Sequence, residues 1–173
     1  MDKVKKRITD AYLSFCLADE IFALHVSQVR KILELVDITE VPRTPDYMRG
    51  VINLRGHVLP VLDLNIKFGL PPFQSTKTSC ILVIETELDN EAIMLGILVD
   101  SVQSVLKIKE EQILPPPSIG KKFKTDFISG MTRVEEKFYM ILDMNLILKS
   151  NDVFSIKDIK KVRESVENEN NNS

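Results

Sequence analysis

The chain of 173 residues contains no tryptophan, only 6% aromatic residues, two cysteines and two histidines. Each shortage argues against a class of function. Polyproline-binding grooves need aromatic walls, so a module of that kind is disfavoured. Cys16 and Cys80 lie in separate apolar runs and form no C-x-x-C pair, a pattern of core thiols rather than of a disulfide or a metal site. His25 falls in a strand pattern and His57 beside a turn, and the serines, cysteines and carboxylates suggest no nucleophile, base and orienting group. No enzyme activity and no cofactor are expected. No apolar run approaches the roughly 18 residues that span a bilayer. The basic start, Met1 to Arg7, is not followed by an apolar segment of signal-peptide length, so a cytoplasmic protein without membrane insertion is expected. A formal net charge of −2 also lacks the basic excess of a nucleic-acid binder.

What remains is 44% hydrophobic and 28% charged, enough to bury a core and keep a polar surface. The centre of the pattern is Gly50 to Leu64, read as two short apolar strands, Val51 to Leu54 and Val58 to Leu62, reversing at Arg55-Gly56. Glycine supplies the positive φ that a tight reversal needs. An arginine at the tip of an apolar hairpin is free to meet a carboxylate on another protein. Before this hairpin, Tyr12 to Leu17 and Ile21 to Val26 read as paired strands around Ala18-Asp19-Glu20. Val29, Ile32, Leu33 and Val36 have helix-like spacing but β-branched composition, and periodicity alone does not decide between helix and strand. Ile38 to Pro45 is an extended proline loop, and Asp46 to Arg49 allows one helical turn. Asp63 is placed to cap a short helix, Leu64 to Phe68, that Gly69 ends. Residues 70–79 read as a linker.

After that linker the pattern restarts. Cys80 to Glu85 and Ile93 to Val99 are strands about a polar turn, and Pro115-Pro116-Pro117 is a second proline loop. Val26, Val29, Ile32 and Pro42 recur at one constant offset as Val99, Val102, Val105 and Pro115. Gly50, Val51, Val61, Leu62, Asp63 and Asn65 recur at a longer offset as Gly130, Met131, Ile141, Leu142, Asp143 and Asn145, with an insertion around Ser118 to Lys124. One supersecondary unit has been used twice. Each copy offers about five short strands, which suits a small closed barrel that leaves no apolar edge. The expectation is all-β: two five-stranded barrels packed together with short helical segments, the first over 12–69, the second over 80–149, and a polar tail, 150–173, that is partly helical or disordered. Asn53 and Arg55 in the first copy correspond to Arg133 and Glu135 in the second, so polar positions changed sign while apolar ones did not.

Several of these segments together resemble the CheW family of bacterial chemotaxis coupling proteins. They are Leu13-Ser14-Phe15, Val29 to Ile32, Ile38 to Pro42, Gly50 to Gly56, Leu59 to Leu64, Val99 to Val102 and Ile141 to Asp143, in family order from about residue 10 to residue 149. The resemblance implies SH3-like barrels forming a single domain over 10–149. It also implies a scaffold that joins the regulatory domain of the histidine kinase CheA to the cytoplasmic tips of chemoreceptors in membrane-associated arrays. An alternative is a barrel adaptor for another two-component or receptor system. By the resemblance, Val29, Lys31, Ile32, Asn53 and Arg55 stand at receptor-facing positions, and Gly50 and Gly56 are structural turn residues; it assigns no kinase-binding residues. One departure is Lys31. The family usually has an acidic residue there to pair with the hairpin arginine, so Arg55 here must find Glu34, Glu40 or a partner's carboxylate.

Overall fold

Runs of β-branched and aromatic residues, punctuated by turns with positive φ, become ten strands among the described residues of the computed structural model, which are 10–88, 90–115 and 127–149. The first half supplies β1 (Ala11–Leu17), β2 (Glu20–His25), β3 (Val29–Glu34), β4 (Met48–Leu54), β5 (His57–Leu62) and the short helix α1 (Leu64–Lys67). The second half repeats the series as β6 (Cys80–Leu88), β7 (Glu91–Val99), β8 (Ser101–Lys107), β9 (Ile128–Val134), β10 (Lys137–Leu142) and α2 (Met144–Lys149). The undecided segment after Val29 is therefore a strand. Asp46 to Arg49 is not a helical turn: the Met48 amide donates to the Pro45 carbonyl, and β4 already begins at Met48. The polar tail and the insertion at Ser118 to Lys124 lie outside the described residues.

The strands form two five-stranded sheets, ordered β8-β1-β2-β10-β9 and β3-β6-β7-β5-β4. This corrects the division into a barrel over 12–69 and another over 80–149. Each sheet combines the first hairpin of one half with the last three strands of the other. The reason lies in the links. β8 is antiparallel to β1, so it runs parallel to β2; the same holds for β3, β6 and β7. If a third strand packed beside the first strand of its own half, it would run parallel to the second, and reaching it would need a crossover of a dozen or more residues. Only Asp100 separates β7 from β8, and a single 3-10 turn, Val26–Gln28, separates β2 from β3. The chain must step into the other sheet instead. The registers match across the exchange: Ala23 pairs with Ile141 in one parallel contact and Gly96 with Val61 in the other, equivalent positions in the two copies.

Both proline loops fasten onto the far edge of a sheet. The Thr39 and Val51 backbones exchange hydrogen bonds of 2.9 and 2.8 Å, and those of Leu114 and Met131 exchange bonds of 2.7 and 2.9 Å. Thr39 follows β3, the opposite edge strand of the same sheet, and Leu114 likewise follows β8, so each bridge ties the segment after one edge strand to the other edge strand. Such a link suits a small closed barrel. The approach is tight enough to demand glycine. A Cβ on Gly50, whose φ is 150°, would sit 2.2 Å from the Thr39 carbonyl oxygen.

A continuous core unites the two sheets. Phe15, Phe22, Phe68 and Phe127 form a chain of rings with successive centroids 6.1, 5.4 and 6.0 Å apart, carrying contact from β1 and β2 through the residue that ends α1 to the residue before β9. Asp63 caps α1 as expected, accepting from the Asn65 amide at 3.0 Å, and Asp143 does the same for Asn145 at 2.9 Å. The segment expected to be a linker is pinned. Phe73 is buried in the core and its amide donates to the second Asp63 oxygen at 2.8 Å. A single aromatic residue among the prolines and serines suffices to seat it.

Candidate functional site

The hairpin that organises the sequence also organises the site. Arg55 and Gly56 both take left-handed conformations, φ 51° and 83°, the geometry of a two-residue type I′ turn. Glycine adopts this freely; arginine does so at some cost. The turn is fixed further by Asn53, whose Oδ1 accepts the Gly56 amide proton at 2.9 Å. Arg55 is therefore carried on a rigid support and points its charge from an exposed tip.

Beside the hairpin lies the edge strand β3. Val29 and Leu33 pack against the core, whereas Lys31 and Ile32 are exposed, Ile32 by 49%. The register against β6 shifts between Val29 and Lys31, which leaves Arg30 as a bulged residue that forms an ion pair with Glu85 of β6. A groove of about 410 Å³ opens between these elements. Its apolar wall comes from Leu54, Val58, Leu59, Val83 and Met94, and its polar side from Arg30, Lys31, Arg55 and His57.

Of the five positions singled out in the sequence, Lys31 and Arg55 line this groove together. Val29, Ile32 and Asn53 lie on the flanking strands but do not line it. Neither Glu34 nor Glu40 forms an ion pair with Arg55, and among the described residues neither Lys31 nor Arg55 has a carboxylate partner. Lys31 and Arg55 therefore share one groove lining. Arg30 and Met94 were not anticipated. Arg30 depends on a bulge, which leaves no mark in composition, and Met94 reads in the sequence as one more apolar strand residue.

The remaining ionisable groups describe structure rather than chemistry. Burial pushes the Cys80 thiol up, which disfavours the reactive thiolate. Burial, with help from Asp10 and Glu110, likewise raises the Tyr12 phenol. Asp100 is raised mainly by burial and further by Asp19 and Asp63, against the opposing hydrogen bond from the Ala18 amide at 3.0 Å. Among the described residues no group of three or more His, Cys, Asp or Glu side chains could hold a metal ion. No helix among them is long and apolar enough to cross a membrane.

Comparison with known proteins gives a consistent result. Residues 11–152 match the model of the CheW-like domain. The chemotaxis protein CheW of Klebsiella aerogenes is 28% identical over 150 residues, covering 87% of this chain and 88% of the relative. CheW of Thermotoga maritima is 32% identical over 79% of this chain and 86% of its own length. Among solved structures, the scaffolding protein TtCheW from Thermoanaerobacter tengcongensis superimposes with a TM-score of 0.74 at 30% identity, over 86% of this chain and 98% of that one.

Proposed function

The chain belongs to the CheW-like family, and from that premise we propose that it is a non-catalytic coupling protein of chemotaxis, holding the regulatory domain of CheA and the cytoplasmic tips of chemoreceptors in one assembly. The observation that supports this best is the combination of the scaffold fold over nearly the whole described chain with an exposed hairpin arginine that has no carboxylate partner among the described residues. The receptor side is assigned to Val29, Lys31, Ile32, Asn53 and Arg55: an exposed apolar residue on an edge strand, flanked by cationic and amide groups, suits the face of an amphipathic helix. The protein acts in the cytoplasm and is recruited to receptor arrays at the membrane through its partners. Residues 10–149 work as a single unit, a reading supported by the exchange of hairpins between the two sheets.

Calorimetric titration with the isolated regulatory domain of CheA from the same organism tests the reading directly. Saturable one-to-one binding is expected. A folded protein that releases no binding heat across the micromolar range would transfer the barrels to another receptor or two-component system and end the coupling assignment.

A further inference from the structure

We infer that the buried amine of Lys67 is the centre of a lock that fixes the angle between the two sheets, through directed polar contacts from one sheet to the short helix α2 of the other. Lys67 is the last residue of α1, which follows β5, and only 3% of it is exposed. Its Nζ lies 4.2 Å from the centre of the Tyr47 ring and 5.7 Å from that of Phe127. The same amine donates to the Ile147 carbonyl of α2 at 3.3 Å. These groups come in matched pairs. Tyr47 and Phe127 each directly precede the fourth strand of their half, and their carbonyls accept the amides of Asp63 and Asp143 at 2.7 and 3.0 Å. Lys67 and Ile147 stand four residues after those two aspartates. The ammonium thus sits where the two copies meet, between equivalent rings, and reaches the backbone of its own counterpart. A lysine at both positions would bring two cations into one buried site; one lysine and one isoleucine give a single oriented link.

A second contact holds the same helix. The Thr86 hydroxyl of β6 donates to Asn145 Oδ1 at 2.8 Å, and Gln28 Nε2 donates to that hydroxyl oxygen at 3.4 Å. The sheet β3-β6-β7-β5-β4 therefore grips α2 at Asn145 and at Ile147. The reverse grip is missing. Leu17 stands where Thr86 does, pairing with Glu20 as Thr86 pairs with Ile93, and it has no hydroxyl. Asn65, the counterpart of Asn145, is 7% exposed, and its Oδ1 has no hydrogen-bond partner among the described residues. The lock is one-sided. Apolar burial holds the sheets together without a preferred direction, whereas an ammonium over two rings and bonded to one carbonyl admits one arrangement. Lys67 contributes orientation rather than cohesion, as a single buried polar residue sets the register of a packed helix pair. A scaffold holds its partners at the angle between its two sheets; that use rests on the coupling reading, while the lock itself does not.

Residual dipolar couplings of the full chain, free of any partner, read the angle directly. In the natural protein the amides of both sheets are expected to fit one alignment frame. Lys67→Met keeps the volume over the rings and removes the charge. In that variant the sheet β8-β1-β2-β10-β9 should require its own frame, with roughly twofold weaker order. The Ile147 amide, bonded to the Asp143 carbonyl at 3.2 Å, should exchange about tenfold faster. The urea midpoint should hardly move, because a buried charge is lost together with its contacts. Thr86→Val should loosen the same helix less, and the two changes together more than either alone. Lys67→Gln is measured beside Lys67→Met, so that one folded variant suffices. A single frame with unchanged exchange at Ile147 would overturn the inference, whatever the urea midpoint. Failure of both variants to fold would also overturn it, by making Lys67 a residue of cohesion. Because no partner enters these measurements, their outcome is independent of the CheA titration: one frame retained in a variant of a CheA-binding protein removes the lock and leaves the coupling role, and a second frame without CheA binding does the reverse.

Discussion

At the tip of β4–β5 the chain sets Arg55 and Gly56 at positive φ; at the tip of β9–β10 it sets Glu135 and Glu136 there, at 49° and 68°. The backbone of the turn is the same, so the fold demands the left-handed geometry and is indifferent to the charge. What surrounds the two tips differs. In the second hairpin Arg133 lies 5.7 Å from the Phe138 ring, a cation engaged within its own hairpin. In the first, the equivalent position is Asn53, which braces the turn and leaves Arg55 to solvent. Duplication supplied two copies of one scaffold, and the first became a presenter of positive charge while the second carries acidic residues at its tip.

The sharpest way to break the likeness is at the closing bridges. Gly50→Ala places a Cβ 2.2 Å from a backbone oxygen that cannot retreat without losing the Thr39–Val51 pair, and should cost about 3 kcal/mol or more. Gly130→Ala meets first the Ile113 Cγ2 at 2.4 Å, a side-chain atom that can rotate, and then the Leu114 oxygen at 2.9 Å, so about 1–3 kcal/mol is expected. Urea melts of the two variants should rank them in that order; equal losses would mean that the two closures are equally rigid.

The turns come next. A side chain on Gly56 meets nothing within 4 Å, so Gly56→Val tests backbone strain alone and should cost about 1–3 kcal/mol. At the equivalent tip the change runs the other way. Glu136→Gly relieves a non-glycine residue at positive φ and should raise the melting free energy by about 0.5–1 kcal/mol. Arg55→Ala should leave stability within about 0.5 kcal/mol while weakening receptor-tip binding by roughly 1–2 kcal/mol. Glu135→Ala should change neither quantity measurably, and a matching loss of binding there would assign the receptor to both tips.

The smallest difference concerns pH. The link between second and third strands holds Asp100 in one copy and Ser27 in the other, where Ser27 bonds His25 instead. The Asp100 carboxyl is raised in the folded state, so its stabilising protonation is complete below the unfolded value and is lost as pH rises through the folded value. Relative to Asp100→Asn, the natural protein should therefore gain stability as pH falls through the window just above the ordinary carboxylate range. A constant difference between the two acid titrations would show that burial at Asp100 is relaxed in solution.

Strands and caps were legible in the sequence because each is a local demand: alternation of apolar residues, an aspartate before Asn65. Gly50, expected as a turn residue, lies instead inside β4, where the Thr39 carbonyl approaches it. The duplication was legible for the same reason as the strands and caps. The pairing of halves was not, although its cause was present in the single residue between Val99 and Ser101, because link length constrains topology only once strand directions are known. Phe73 illustrates a related limit, since one buried ring outweighed a proline- and serine-rich composition. At the site, Arg55 could be recognised from the hairpin pattern, whereas its grouping with Arg30 and Lys31 depended on a bulge in β3.

The exchanged hairpin also sets an order for making the molecule. Every strand of the sheet β3-β6-β7-β5-β4 has been synthesised once Val99 is added. Phe22 and Ala23, made near the start, must wait for Met140 and Ile141, roughly 120 residues later, which at ribosomal speed is roughly 6–24 s. During that interval Phe15, Leu17, Phe22 and Leu24 have no completed sheet to enter. The β1–β2 hairpin is thus made well before the strand that seats it, and its apolar face stays uncovered in the interval.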